Sequence, residues 1–179
     1  MKKILIILSL FLGLTGCADV MNTPTKRVEE YLMKYQKLND DITGQIEDLL
    51  TGTTGMNNDQ KLSYREIYKN QYQHLTYTIK DEIIDGKDAT VIVEIEVFDF
   101  NLANKEIEEY VTNNPDKFQN TQKQPDDTKI TNYTLSTLKN FQKRVKYTIN
   151  FLLTKVDSVW TLEQISDTDL QKIHGIYEY

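Results

Sequence analysis

The order of elements predicts an α+β fold, with N-terminal helices packed on a curved antiparallel sheet of about four strands. Three observations lead there. Apolar residues recur at three- and four-residue spacing as far as His74. From Thr76 the period switches to alternation, and a second alternating pair stands near the C-terminus. Short turn sequences, Asp85-Gly86-Lys87 and Asp157-Ser158, join strands in the way antiparallel neighbours require.

The chain opens with Lys2 and Lys3, followed by the apolar run Ile4–Leu8, Ser9 and Leu10-Phe11-Leu12. A spanning helix needs about 20 apolar residues, and this run is shorter. A basic start, a short apolar middle and small residues before a cut make up a signal peptide. Leu14-Thr15-Gly16-Cys17 resembles the lipobox of bacterial lipoproteins. That resemblance implies cleavage after residue 16 and a diacylglyceryl group on the Cys17 sulfur. Two acyl chains give the stable membrane anchoring that one does not. The expected organisation is a lipoprotein signal peptide over 1–16, a lipidated cysteine and tether over 17–22, and one α+β domain over 23–179. Its place would be the extracytoplasmic face of the cell membrane.

Cys17 is the only cysteine, so no intrachain disulfide braces the fold, and the core must hold it. The signal peptide takes two of the 21 basic residues and none of the 27 acidic ones, leaving a net charge of about −8. Such acidity argues against nucleic acid as a partner.

Thr23-Pro24 reads as a helix cap followed by proline in the first turn. Val28, Tyr31, Leu32, Tyr35 and Leu38 form the apolar stripe of that helix. Asn39-Asp40-Asp41 breaks it and caps a second helix carrying Ile42, Ile46, Leu49 and Leu50. A third runs from Asn58 or Asp59 to His74, with Tyr64, Ile67, Tyr68, Gln71 and Tyr72 on one face. In the first strand Tyr77, Ile79, Asp81 and Ile83 share a face. In the second, Val91, Val93, Ile95 and Val97 oppose Glu94 and Glu96, for which Lys80 and Lys146 are candidate partners. A surface helix is expected over 101–113 and a long mobile loop over 114–129, where Pro115 and Pro125 stand. A short helix over 130–141 follows. The last hairpin pairs Val156 with Val159 and puts Trp160 and Leu162 on the face of Phe151 and Leu153. Asp167 or Thr168 caps a final helix that ends at Gly175.

This order of helices and strands resembles the nuclear-transport-factor-2-like (cystatin-like) fold. It also resembles a set of small lipoproteins of low-GC Gram-positive bacteria. In those, a lipobox is closely followed by a helix like Thr23–Leu32, and the chain ends in a hairpin like Phe151–Leu162. The shared motifs are packing patterns, and they specify no reaction.

The sequence holds no GxSxG, no HExxH and no phosphate-binding glycine loop. His74 and His174 stand at helix ends, where an imidazolium suits the helix dipole. No metal or other cofactor is expected: zinc needs three or four ligands, and Asp40-Asp41 and Asp126-Asp127 lack the spacing of a calcium loop. The fold resemblance raises one catalytic possibility. Asp81, and Asp99 as a continuation of the Val93/Ile95/Val97 face, would be desolvated if those faces lined a cavity, as in a ketosteroid-isomerase-like relative. Tyr68, Tyr72 or Tyr147 would then supply hydroxyls. The alternative is that both acids lie solvated at strand ends and that Tyr64, Tyr68 and Tyr72 edge the core with their hydroxyls in water. Three functions remain open: a non-enzymatic module binding a small ligand, a peptide or an envelope protein; an enzyme using an inward carboxylate; and a structural envelope protein. In each, the membrane is a partner through the lipid on Cys17.

Overall fold

The computed structural model describes residues 22–51 and 55–179, so Leu14, Thr15, Gly16 and Cys17 lie outside the described residues. Helix α1 (Pro24–Lys37) starts where the Thr23 side chain accepts a hydrogen bond from the Lys26 amide. Its buried stripe is Val28, Leu32 and Tyr35, and Leu38 ends it in a left-handed turn at φ 50°. Asn39 then caps α2 (Asp40–Thr51) by accepting from the Ile42 amide at 3.2 Å. Helix α3 (Asn58–Gln73) opens with a reciprocal capping box between Asn57 and Gln60.

Four strands follow: β1 (Thr76–Asp85), β2 (Asp88–Phe98), β3 (Arg144–Val156) and β4 (Val159–Leu162). They form one open antiparallel sheet in the order β1-β2-β3-β4. Helices α4 (Phe100–Asn113) and α5 (Asp127–Asn140) are inserted between β2 and β3, and α6 (Asp167–His174) comes last. The α+β class expected from the sequence is the observed one.

One face of the sheet is apolar throughout. Val91, Val93, Ile95 and Val97 of β2 are fully buried beside Tyr147, Ile149, Phe151 and Leu153 of β3. Helices α1, α3 and α6 pack over β2, while α5 packs on α3 and α4. The Tyr31 ring stands edge-on to Phe151 at 5.9 Å, so α1 closes directly on the strand. The last hairpin has the expected register, Val156 opposite Val159 and Leu153 opposite Leu162, and Trp160 is buried. On the other, open face, Lys80 and Lys146 each lie 3.2 Å from the Glu94 carboxylate, as the sequence suggests.

Strand β1 departs from its sequence reading. Ile79 faces Val93 but Asp81 faces Ile92, so Lys80 is an extra residue, a β-bulge. One extra residue exchanges the two faces of a strand. Beyond it, Glu82 and Ile84 align with Val91 and Ala89, and Asp81 and Ile83 turn to the open face. The placement of Asp81 and Ile83 with Tyr77 is therefore corrected.

The 114–129 segment is also corrected. It is not one long loop: Pro115–Phe118 forms a 3-10 turn, and Gln119 bridges Pro125. Phe118 is buried against Tyr110 and Tyr133, at ring distances of 6.2 and 5.3 Å. Asp126 caps α5 through the Lys129 amide, which starts the helix at 127 rather than 130. A single apolar anchor and one cap give local structure to a stretch whose composition reads as polar.

The chain enters at the turn end of the sheet. Asn22 Nδ2 donates to the Ser158 carbonyl at 2.7 Å, and Asn22 Oδ1 accepts from the Trp160 amide at 3.2 Å. The Thr25 amide donates to Glu82 Oε2 at 2.8 Å. Asn22 and Thr25, on either side of the start of α1, are thus fastened to one hairpin each.

Candidate functional site

The apolar face of the sheet is buried beneath the helices, so the carboxylate reading turns on where the two acids stand. Asp81 is exposed on the open face, away from every tyrosine named with it. Asp99 is buried, against the expectation of a solvated strand-end acid, but it is not part of a strand. It caps α4: Oδ1 accepts from the Leu102 amide at 2.9 Å, and Oδ2 accepts from the Tyr179 hydroxyl at 2.6 Å. Its oxygens are occupied by a helix end and the C-terminal tyrosine. Burial first, and the Asp99 charge second, push the Tyr147 phenol above its ordinary range; its hydroxyl donates to the Tyr177 carbonyl at 3.3 Å.

Tyr68 and Tyr72 are core residues, not edge residues with wet hydroxyls. They belong to a run of ring contacts. Tyr31 meets Tyr35 at 5.5 Å, Tyr35 meets Tyr72 at 5.1 Å, and Tyr72 meets Tyr68 at 6.0 Å. Edge-on pairs of this kind add to simple area burial. Burial pushes the phenols of Tyr31, Tyr68 and Tyr72 well above their usual range, so all three stay protonated.

The run ends at His174, the feature that sequence reasoning missed. The expected helix-end position is right, but the expected imidazolium is not. The ring is nine-tenths buried, and Nδ1 lies 2.7 Å from the Tyr72 hydroxyl. Burial lowers its pKa to about 4, so the ring is neutral at neutral pH. A helix end suits a cation only where the charge stays solvated, and here burial against the tyrosine rings disfavours it. His74, by contrast, is exposed at the end of α3 and lies 2.9 Å from the Asn70 carbonyl.

Gln71 fixes the backbone around His174. It is fully buried; its amide nitrogen donates to the carbonyls of Phe98 (2.8 Å) and His174 (3.0 Å), and its Oε1 accepts from the Phe98 amide at 2.8 Å. Gly175 follows at φ 75°, and a Cβ there would collide with the Phe98 carbonyl and the Gln71 amide. Only glycine fits that position.

His174 also forms part of the wall of a hollow of about 300 Å³ between α2 and α6, with Gln45, Asp48, Leu49 and Leu170. Gln45 is oriented by the Tyr35 hydroxyl, which donates to its Oε1 at 3.3 Å. No other ring nitrogen contact of His174 is made among the described residues. The hollow therefore offers two leucine side chains, a held amide, a carboxylate and a neutral imidazole. That set suits a small ligand or a side chain with an apolar body and one polar group. A larger hollow of about 430 Å³ lies between α3 and α5, but Gln60 on its wall is already engaged by the Asn57 cap and by Asn132. Among the described residues no cluster of His, Cys, Asp and Glu could hold a metal ion, and no helix is long and apolar enough to cross a membrane. No family model, curated protein or solved structure matches the chain.

Proposed function

We propose that the protein is a lipoprotein held by Cys17 on the extracytoplasmic face of a bacterial membrane, where its α+β domain binds a small ligand or a peptide. The observation that carries this reading is the single cysteine, placed after a basic and apolar leader and directly behind Leu14-Thr15-Gly16. The thiol supplies the nucleophile for lipid transfer, and the small residue before it leaves the scissile bond open. Labelling cells with a fatty-acid analogue should tag the wild type and leave Cys17→Ser untagged. Equal labelling of both would overturn the anchoring.

Binding is supported by the hollow between α2 and α6, where a neutral imidazole meets leucine side chains. The carboxylates that an enzyme of this shape would use are engaged or turned outward, as Asp99 and Asp81 illustrate. The likeness to nuclear-transport-factor-2-like proteins is consistent with this reading and rests on element order alone. A ligand of the hollow should raise the Tm of the wild type but not of Leu170→Arg, which fills the space. Small-molecule and peptide fractions of the host supply the candidates. A fraction that shifts both proteins equally would locate binding elsewhere.

A further inference from the structure

The turn end of the sheet combines two features that the binding site does not use. It is where Asn22 is fastened, through the Ser158 carbonyl and the Trp160 amide. It is also where exposed apolar side chains gather. Of the eight large hydrophobic residues exposed among the described residues, five lie here: Ile83, Ile84, Leu152, Val156 and Val159. The pairing puts four of them on the open face, with Ile84 beside the first turn on the other face. Ile83 and Leu152 flank Thr90 across three strands, and Val156 faces Val159 beside the last turn. Soluble proteins scatter such residues singly; a cluster marks a contact surface.

Chain length says what covers it. Asn22 stands five residues after Cys17. A fully extended chain covers at most about 3.6 Å per residue, so this tether reaches no further than about 18 Å. The headgroup layer occupies about 5–8 Å on each side of the hydrocarbon core. With Asn22 pinned to the last hairpin and Thr25 to β1, a lipid on Cys17 keeps both turns within reach of that layer. The turns themselves carry Asp85, Lys87, Asp88, Lys155 and Asp157, a slight acidic excess. Attraction to anionic headgroups is therefore not the source of the contact; the apolar side chains are.

We infer that the turn end of the sheet is a membrane-contact surface, which rests its exposed aliphatic side chains on the lipid interface and sets the orientation of the domain. This inference depends on the anchoring by Cys17 proposed above. Because Cys17 is consumed by lipid, an added cysteine is the only thiol available for labelling.

The test uses the lipidated protein in phosphatidylethanolamine–phosphatidylglycerol vesicles. An environment-sensitive fluorophore is placed at Val159→Cys and, as a distant control, at Lys143→Cys, just before the start of β3. Nitroxide-labelled lipid should quench the Val159 probe several-fold more than the Lys143 probe, and 0.5 M salt should leave the difference intact. Asn22→Ala, which releases the tether, should shrink it. Equal quenching at both sites in a protein shown by mass to carry lipid overturns the contact alone. A protein that carries no lipid overturns the anchoring and this inference with it. In native membranes, a Val159 probe shielded from water-soluble reagents yet unquenched by nitroxide lipid would assign the patch to a protein partner and overturn the lipid contact.

Discussion

At the scale of single residues, His174 has the largest expected consequence. Its pKa falls from an ordinary 6.5 to about 4 because the fold buries it. Between those values the unfolded chain binds a proton that the folded one refuses, so stability drops as pH falls from 6.5 towards 4 and is whole above that window. The difference corresponds to about 3 kcal/mol as an upper figure. Urea midpoints measured across this range should fall more steeply for the wild type than for His174→Gln; parallel curves would mean that the ring is not buried as described. Gly175→Ala should cost more than about 2 kcal/mol, since it adds a strained φ to a collision with the Phe98 carbonyl and the Gln71 amide. A loss below about half a kcal/mol in denaturant unfolding would show that the backbone yields there. Neither role was visible in the sequence beyond a helix-end histidine and a terminating glycine. The contact between Tyr72 and His174 spans about a hundred residues of chain, and no local pattern reports it.

At the scale of elements, local rules were enough wherever period and cap agreed. Thr23-Pro24, the Val28/Leu32/Tyr35 stripe and the Val91–Val97 alternation all describe structure that is present. The last hairpin was readable because turn and apolar pattern specify one register, and Trp160→Ala tests it. Loss of that buried side chain should destabilise the protein by about 3–5 kcal/mol in chemical unfolding. A change of a few tenths would contradict its burial. In β1 and in the 114–129 segment, one residue accounts for each departure from the local pattern. Lys80 adds a bulge that alternation cannot reveal, because the residues on either side still alternate. Phe118 anchors a segment whose other residues are polar, and composition averages it away. The candidate site departs most: that bulge turns Asp81 to the open face, and Asp99 lies just beyond a strand that ends at Phe98.

At the scale of the whole molecule, two ends of the sheet do different things. Strand β2 runs eleven residues from Asp88 to Phe98. At about 3.3 Å per residue it separates the turn end from the neighbourhood of Gln71 and His174 by about 30 Å. Under the proposed anchoring, the hollow between α2 and α6 is held away from the attachment near Asn22. A cysteine placed at Leu49 in the anchored protein should react with a membrane-impermeant maleimide as fully as it does in detergent. Protection that detergent removes would put the hollow at the lipid surface instead.

The shape of the sheet margins has a further effect. Copies confined to one surface collide with their neighbours far more often than copies free in solution, and a long straight strand at the border of each would let them zip together. Here one border is kinked by an extra lysine and the other is only four residues long. Both are poor templates for a visiting strand, which disfavours edge-to-edge pairing between copies.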